Sequence, residues 1–138
     1  MRMCSAFLAL FFLAVSANAN TVNIVIVTHQ NNAGVEITRN EIKNLFMGGV
    51  NAQGLEALAL KPGVDARLIF NTTILGLTES RVQSYWAQMR FSGRNKPPRE
   101  FESVETMLAY ILNNPNSIGY LPAEIELPED FLIIFATR

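Results

Sequence analysis

The stretch VNIVIVTHQNNAGVEITRNEIKNLFMGG, Val22–Gly49, decides the fold class that the sequence predicts. Its first eight residues, Val22–His29, are nearly all apolar and β-branched, which is typical of a short strand covered on both faces, as in a parallel sheet. After a polar loop, Thr38 followed three residues later by Glu41 predicts a helix start, and Gly48–Gly49 predicts its end. A strand followed by a helix indicates an α/β protein.

The rest of the chain continues this alternation. We expect strands in Leu55–Leu60, Ser117–Leu121 and Phe131–Ala136, and helices that begin after Thr78 and after Ser103. The predicted fold is therefore α/β, a single three-layer domain around a mostly parallel or mixed sheet.

Two segments allow more than one interpretation. Within Val64–Leu75, ARLIF (Ala66–Phe70) suits a strand by propensity, but Pro62–Gly63 before it, Asp65 as a possible cap and Gly76 at its end suit a helix equally well. The segment Ser84–Glu100 combines aromatic and basic residues, as do nucleic-acid surfaces and anion sites. Apolar residues at helical spacing favour a buried helix face there, with a solvated basic loop after it; these residues are Val82, Tyr85, Trp86 and Met89.

The N-terminal segment has the layout of a secretory signal peptide. Arg2 precedes an apolar run from Ala6 to Val15, and Ala17-Asn18-Ala19 follows as a cleavage site. The run is about half as long as the roughly 20 residues of a membrane-spanning helix, which favours cleavage over a retained anchor. We therefore expect a signal peptide at residues 1–19 and an exported domain at residues 20–138, located in a bacterial periplasm and without a membrane span after cleavage.

The composition excludes several classes of function. Cleavage would remove Cys4, the single cysteine, so that no disulfide stabilises the mature domain. Ten basic residues would then face twelve acidic ones, a net charge of −2, whereas nucleic-acid-binding domains are usually strongly basic. His29 is the only histidine, and no nucleophile, phosphate-loop or metal motif is present. We expect no nucleic-acid partner, catalytic site, metal or cofactor.

A binding site is predicted at the ends of the strands. In open α/β sheets, ligands bind beyond the carboxyl ends of the strands, where helix N-termini point. The candidate segments are the loop His29–Asn32, the helix start Gly63–Asp65 and the loop Ser92–Lys96.

Four stretches, taken in order, carry a resemblance to a known family: ITRNEIKNLFMGG (Ile37–Gly49), PGVDARLIF (Pro62–Phe70), YWAQMRFSGRNKPP (Tyr85–Pro98) and NNPNSIGYLP (Asn113–Pro122). This set resembles the phosphate-binding-protein-like domains of bacterial ABC importers, in the short stand-alone exported form that is similar to one lobe of a type-2 periplasmic binding protein. The resemblance extends from about Asn23 to Pro122. It implies that Val64–Leu75 is a helix, with Arg67 and Phe70 on its first turns.

The resemblance also implies a function. The protein would bind phosphate or another small oxyanion without catalysis, with Arg67 as the charge partner and the turn Gly63–Asp65 supplying backbone N–H donors. The family's Gly-Ser-Gly-Thr-type turn is replaced here by Gly63, Val64, Asp65 and Ala66, which lack its hydroxyls and add a negative charge. The predicted ligand-binding residues are Thr28, Asn31, Asn32, Gly63, Asp65, Arg67 and Arg94.

The alternative is a relative that has lost solute binding. Such a protein would act as a protein-interaction module of an envelope or sensor assembly, and Arg67 would pair with Asp65 instead of with a ligand.

Overall fold

The computed structural model describes residues 22–93 and 95–138, so the predicted signal peptide lies outside the described residues. In this part of the chain the strands are β1 (Ile24–His29), β2 (Glu56–Leu60), β3 (Arg99–Phe101), β4 (Ser117–Pro122) and β5 (Phe131–Ala136). The α-helices are α1 (Arg39–Phe46), α2 (Asp65–Phe70), α3 (Glu79–Ser92) and α4 (Val104–Asn113), with a 3-10 turn at Gln30–Asn32 and a π-helical turn at Asn71–Leu75. None of the described helices is long and apolar enough to cross a membrane.

Three helices, α1, α3 and α4, begin at the capping residues that the sequence predicts, and α3 also ends at the predicted glycine. At the start of α1, the Thr38 hydroxyl accepts a hydrogen bond from the Glu41 backbone N–H, and the Glu41 carboxylate accepts one from the Thr38 backbone N–H. Thr78 and Ser103 cap α3 and α4 with their hydroxyls in the same position. Gly93 ends α3 in the left-handed conformation, with φ of 68°, which glycine adopts without steric cost.

The sheet is mixed, with the strand order β3-β2-β4-β1-β5. β2 runs parallel to β3 and β4, whereas β1 runs antiparallel to β4 and β5. The apolar run of β1 predicted a parallel strand, and for this strand the prediction of direction is wrong. Burial on both faces selects an apolar run whichever way the neighbouring strands run. The broader prediction, an α/β domain with a mixed sheet, is confirmed.

Helices cover both faces of the sheet. On one face, α4 packs so closely that a Cβ added at Gly119 of β4 would lie 2.7 Å from Met107 Sδ. On the other face, Phe46 of α1 and Phe70 of α2 pack on Tyr120 of β4, and the Phe70 and Tyr120 rings stack at 4.0 Å between centroids. The buried Trp86 of α3 lies beside this cluster, which confirms that the aromatic stripe of α3 belongs to the core.

The two segments that allowed more than one interpretation take definite structures. Asp65–Phe70 is α-helical and Asn71–Leu75 completes one π-helical turn before Gly76, so the helical interpretation of Val64–Leu75 is confirmed. The predicted basic loop ends in β3, which the sequence did not indicate. β3 is only three residues long. Its backbone follows Pro97 and Pro98 and pairs with β2 in parallel.

Candidate functional site

The predicted site residues fall into two groups at opposite ends of the sheet. β1 ends beside the beginning of β4, where Thr28 faces Ile118. β2 begins at that same end, where Ala57 faces Ile118, and therefore finishes at the other. The loop after β1 and the turn after β2 are therefore not parts of one crevice, because the two strands run in opposite directions.

At the end of β1, the side chains of Thr28 and Asn32 form hydrogen bonds within the protein. The Thr28 hydroxyl is buried and donates to the Ser117 backbone carbonyl at 2.8 Å. The Asn32 side-chain amide donates to Thr28 Oγ1 at 2.8 Å and to the Pro115 carbonyl at 2.7 Å. These bonds fasten the loop after β1 to the beginning of β4. Asn31 is exposed, and its backbone N–H donates to His29 Nδ1.

The group after β2 has an open turn and a short helix. Gly63 adopts φ of 93° in an exposed turn, a conformation that favours glycine. Asp65 is exposed in the first turn of α2, a helix of only six residues, and Val64 at its N-cap makes no side-chain capping bond. Arg94, predicted as a further ligand residue, lies outside the described residues.

Arg67 is buried and lies at the centre of an ion network whose two carboxylates are partly exposed. Its side chain is 8% exposed and forms salt bridges to Glu79 at 2.7 Å and to Glu100 at 2.5 Å. Its Nε–H and one Nη2–H donate to the Glu79 carboxylate, and Nη1 donates to Glu100 and to the Leu60 backbone carbonyl. Four of the five guanidinium N–H groups therefore donate to described residues, and the fifth has no acceptor among them. The partners of Arg67 are Glu79 and Glu100, not Asp65.

The network keeps Arg67 and Glu79 charged. Burial by itself would raise the pKa of Glu79, but hydrogen bonds from Arg67, Gln83 and Asn71 and the charge of Arg67 outweigh it, so that this pKa lies below its ordinary value. Burial would likewise lower the pKa of Arg67, and the hydrogen bond and charge of Glu79 raise it instead. The positive charge of Arg67 is thus offset inside the protein by two carboxylates.

A cleft opens beside this network, between α3 and the segment Pro97–Glu100. The cavity volume of this cleft is about 50 Å³. This volume can hold roughly four waters or one small polyatomic ion. Phe70, Trp86 and Tyr120 form an aromatic floor, and Arg67 lies in the wall. An apolar floor with a few polar groups around it is the usual composition of a ligand pocket.

Besides Tyr120, four polar residues of the cleft were not among the predicted site residues: Asn71, Gln83, Arg90 and Glu100. Arg90 is exposed, lies in the last turn of α3 and forms no salt bridge with a described residue. Arg90 belongs to the same basic part of the sequence as Arg94. Its position one helical turn beyond Trp86 was the sequence feature that could have identified it as a site residue. In the described part of the chain, no group of three or more metal-ligating side chains is arranged to hold an ion.

Comparison with solved structures finds a transport receptor with a similar fold. The chain is similar to the crystal structure of an ABC-type phosphate transport receptor from Vibrio cholerae, with a TM-score of 0.60 and 15% sequence identity. The two chains share a fold. The match covers 82% of this chain and 46% of the receptor chain, so this chain spans about half the receptor's length. The predicted periplasmic-binding-protein-like fold is confirmed, while no protein-family model and no curated protein matches the sequence.

Proposed function

We propose that this protein is a non-catalytic solute-binding protein that acts after export, and that the cleft beside α3 is its ligand site. The observation that carries the proposal is the aromatic-floored cleft, which is lined by Arg67 and by Arg90, an arginine that forms no salt bridge with a described residue. The likeness to a transport receptor supports a binding role. The match covers about half of that receptor, which agrees with the hypothesis that the chain corresponds to one lobe of a type-2 periplasmic binding protein.

The ligand class that suits this cleft best is a small anion, with oxyanions such as phosphate as the simplest members. Arg90 supplies a positive charge that no described carboxylate offsets, and Arg67 has one N–H left to donate. Full use of Arg67 would require the anion to displace Glu100, which is 41% exposed and accepts from it. Since a hydrogen bond to a charged group is worth about 1.5–3 kcal/mol, we expect weaker binding than at a site with a free arginine.

Thermal unfolding of residues 20–138 in phosphate, sulfate and other small oxyanions tests this proposal. A ligand at about one hundred times its dissociation constant adds roughly 2.7 kcal/mol to the free energy of unfolding. We expect a saturable rise in the unfolding midpoint that Arg90→Ala abolishes. Arg81→Ala is the matched control, since Arg81 is exposed on the same helix and does not line the cleft. A rise that survives Arg90→Ala would refute the cleft as the site.

Export is tested separately by the mass of the mature protein. We propose cleavage after Ala19 and release into the periplasm, so the chain recovered from the periplasm of an expressing bacterium should begin at Asn20. A protein that retains Met1 in that fraction would contradict the proposal.

A second candidate function is a protein-interaction module that has lost solute binding. The occupation of Arg67 by two internal carboxylates favours it, because these carboxylates take the bonds that an anion would receive. The internal hydrogen bonds of Thr28 and Asn32 also favour this second function. A midpoint unchanged across the whole panel of anions would favour this second function over the first.

A further inference from the structure

Among the described residues, the two most exposed large apolar side chains are Phe91 and Val50. Phe91 lies in the last turn of α3 and is 99% exposed, and Val50 lies in the loop after α1 and is 93% exposed. A side chain with this exposure contacts almost nothing of its own protein, so neither residue contributes to the core. Both would gain free energy from burial, because transfer of apolar surface out of water is favourable.

The loop that carries Val50 touches the segment that follows α3. A Cβ added at Gly48 would lie 3.1 Å from the Cβ of Asn95. Val50 is two residues beyond Gly48, a separation of about 7 Å at most. Phe91 is four residues before Asn95. The two apolar side chains therefore lie on neighbouring segments at the same end of the domain.

Basic side chains flank these two apolar residues. Arg90 and Lys96 line one open depression of about 400 Å³, together with Gly93 and Asn95. Arg90 and Lys96 are exposed and form no salt bridge with a described residue. Arg94 lies outside the described residues, but its place in the sequence between Gly93 and Asn95 adds a third positive charge. The end of α3 is therefore a cluster of positive charge around Phe91.

The two segments that carry these residues contain no acidic residue, neither in residues 42–55 nor in residues 80–98. Glu56 follows the first segment and lines a neighbouring depression together with Lys96. The Glu56 carboxylate forms its salt bridge with Arg99, at 3.5 Å, and not with Lys96. The positive charge at the end of α3 is therefore available to an anionic partner.

We propose that this end of the protein docks on a membrane surface that contains anionic lipids. The docking surface consists of Val50, Arg90, Phe91 and Lys96 and is called the α3-end surface below. Its basic side chains face the lipid phosphates, and its two apolar side chains enter the boundary between headgroups and acyl chains. Binding at such a boundary combines the burial of apolar area with attraction to anionic lipids.

The arrangement of the α3-end surface favours a lipid surface over a protein partner. The centre of a protein interface is usually a contiguous apolar patch that is poor in charged residues. Here the apolar side chains are separate and protrude, and Arg90 directly precedes Phe91. A lipid surface can take up each protruding side chain by itself, because lipids rearrange around an inserted group and no shaped pocket is needed.

Sedimentation of residues 20–138 with lipid vesicles tests the proposal. This part of the chain includes every described strand and helix, and its ten basic and twelve acidic residues exclude a general attraction to anionic lipids. We expect binding to vesicles with equal parts of phosphatidylcholine and phosphatidylglycerol and none to phosphatidylcholine alone. Absence of binding to the anionic vesicles would refute the proposal, and so would equal binding to both kinds.

Two variants with matched controls locate the contact. Phe91→Ser should weaken vesicle binding about tenfold and Lys96→Gln about fivefold, since they remove an inserted ring and one charge near the lipids. The controls are Leu68→Ser, which removes an exposed apolar side chain on α2, and Arg81→Gln, which removes an exposed charge near the start of α3. Binding that is unchanged in Phe91→Ser and Lys96→Gln would refute the α3-end surface as the contact.

Fluorescence of Phe91→Trp tests insertion directly. The wild type has a single tryptophan, the buried Trp86, and its emission should not change when vesicles are added. The emission of Phe91→Trp should shift to shorter wavelength with anionic vesicles, because the indole moves from water to the headgroup boundary. An unshifted emission from vesicle-bound Phe91→Trp would refute insertion at this surface.

Inorganic phosphate distinguishes the α3-end surface from the cleft, since Arg90 lines both. Phe91 and Lys96 do not line the cleft, so their variants leave the proposed ligand site unchanged. We expect phosphate to leave the vesicle-bound fraction unchanged when sodium chloride holds the ionic strength constant. Release of the protein by phosphate under these conditions would assign the vesicle contact to the cleft and refute the proposal.

Discussion

Replacement of Arg67 by alanine should destabilise the protein strongly at neutral pH. The change removes four hydrogen bonds and leaves Glu79 and Glu100 without their cation. Breaking a buried ion pair by removing one partner typically costs 3–5 kcal/mol. The Glu79 and Glu100 side chains are 31% and 41% exposed, so water can solvate part of their charge and the lower end of this range applies. We expect a loss of about 3 kcal/mol in the free energy of unfolding.

Urea and thermal unfolding of Arg67→Ala measure this loss. For a domain of this size, about 3 kcal/mol corresponds to a decrease of roughly 10–15 °C in the midpoint. Arg81→Ala is the control, and we expect it to change stability by less than about 0.5 kcal/mol because Arg81 is exposed and forms no salt bridge with a described residue.

A double-mutant cycle shows whether the loss comes from the ion network. Arg67→Ala and Glu79→Ala should each destabilise, and the double variant should lose much less than the sum, since each single change already breaks the shared bonds. A loss below about 1 kcal/mol for Arg67→Ala, or additive losses in the cycle, would refute the view that this network stabilises the fold.

Two further predictions concern pH and packing. Because the pKa of Glu79 is lowered in the folded protein, its contribution to stability is present above its ordinary pKa of 4.5 and disappears as the pH falls through the lowered value. Glu79→Gln should therefore be less stable than the wild type at pH 7 but approach it as the pH falls through the lowered pKa of Glu79, and parallel curves of stability against pH would contradict this. Gly119→Ala should cost about 1–2 kcal/mol, because the new Cβ would lie 2.7 Å from Met107 Sδ. An unchanged unfolding midpoint would show that Met107 moves aside without cost.

Much of the local structure could be predicted from the sequence. Thr38, Thr78 and Ser103 mark helix starts, and Gly93 marks a helix end, since capping depends on residues only three or four positions apart. The segment Val64–Leu75 was ambiguous by periodicity, and only the family resemblance favoured a helix there. β3 could not be predicted, because three residues after two prolines form a strand only where β2 lies alongside.

The candidate site was predicted less completely than the fold. Arg67 was identified as a central residue, but its partners are 12 and 33 positions away, and no local pattern connects them. Thr28 and Arg67 were expected at one crevice, and the structure places them at opposite ends of the sheet. The reason is the direction of β1, which an apolar run does not encode.

Apart from β3 and α2, the order of strands and helices could be read from local sequence patterns, as could the starts of α1, α3 and α4, the buried aromatic face of α3 and the lack of known catalytic motifs. These features depend on short-range hydrogen bonds and on the periodicity of apolar side chains. The direction of β1, the pairing of Arg67 with two carboxylates and the position of β5 at the edge of the sheet became evident only from the folded protein. Strand direction and ion pairing depend on which distant segments share the core, because the free energy of burial comes from the whole assembled domain.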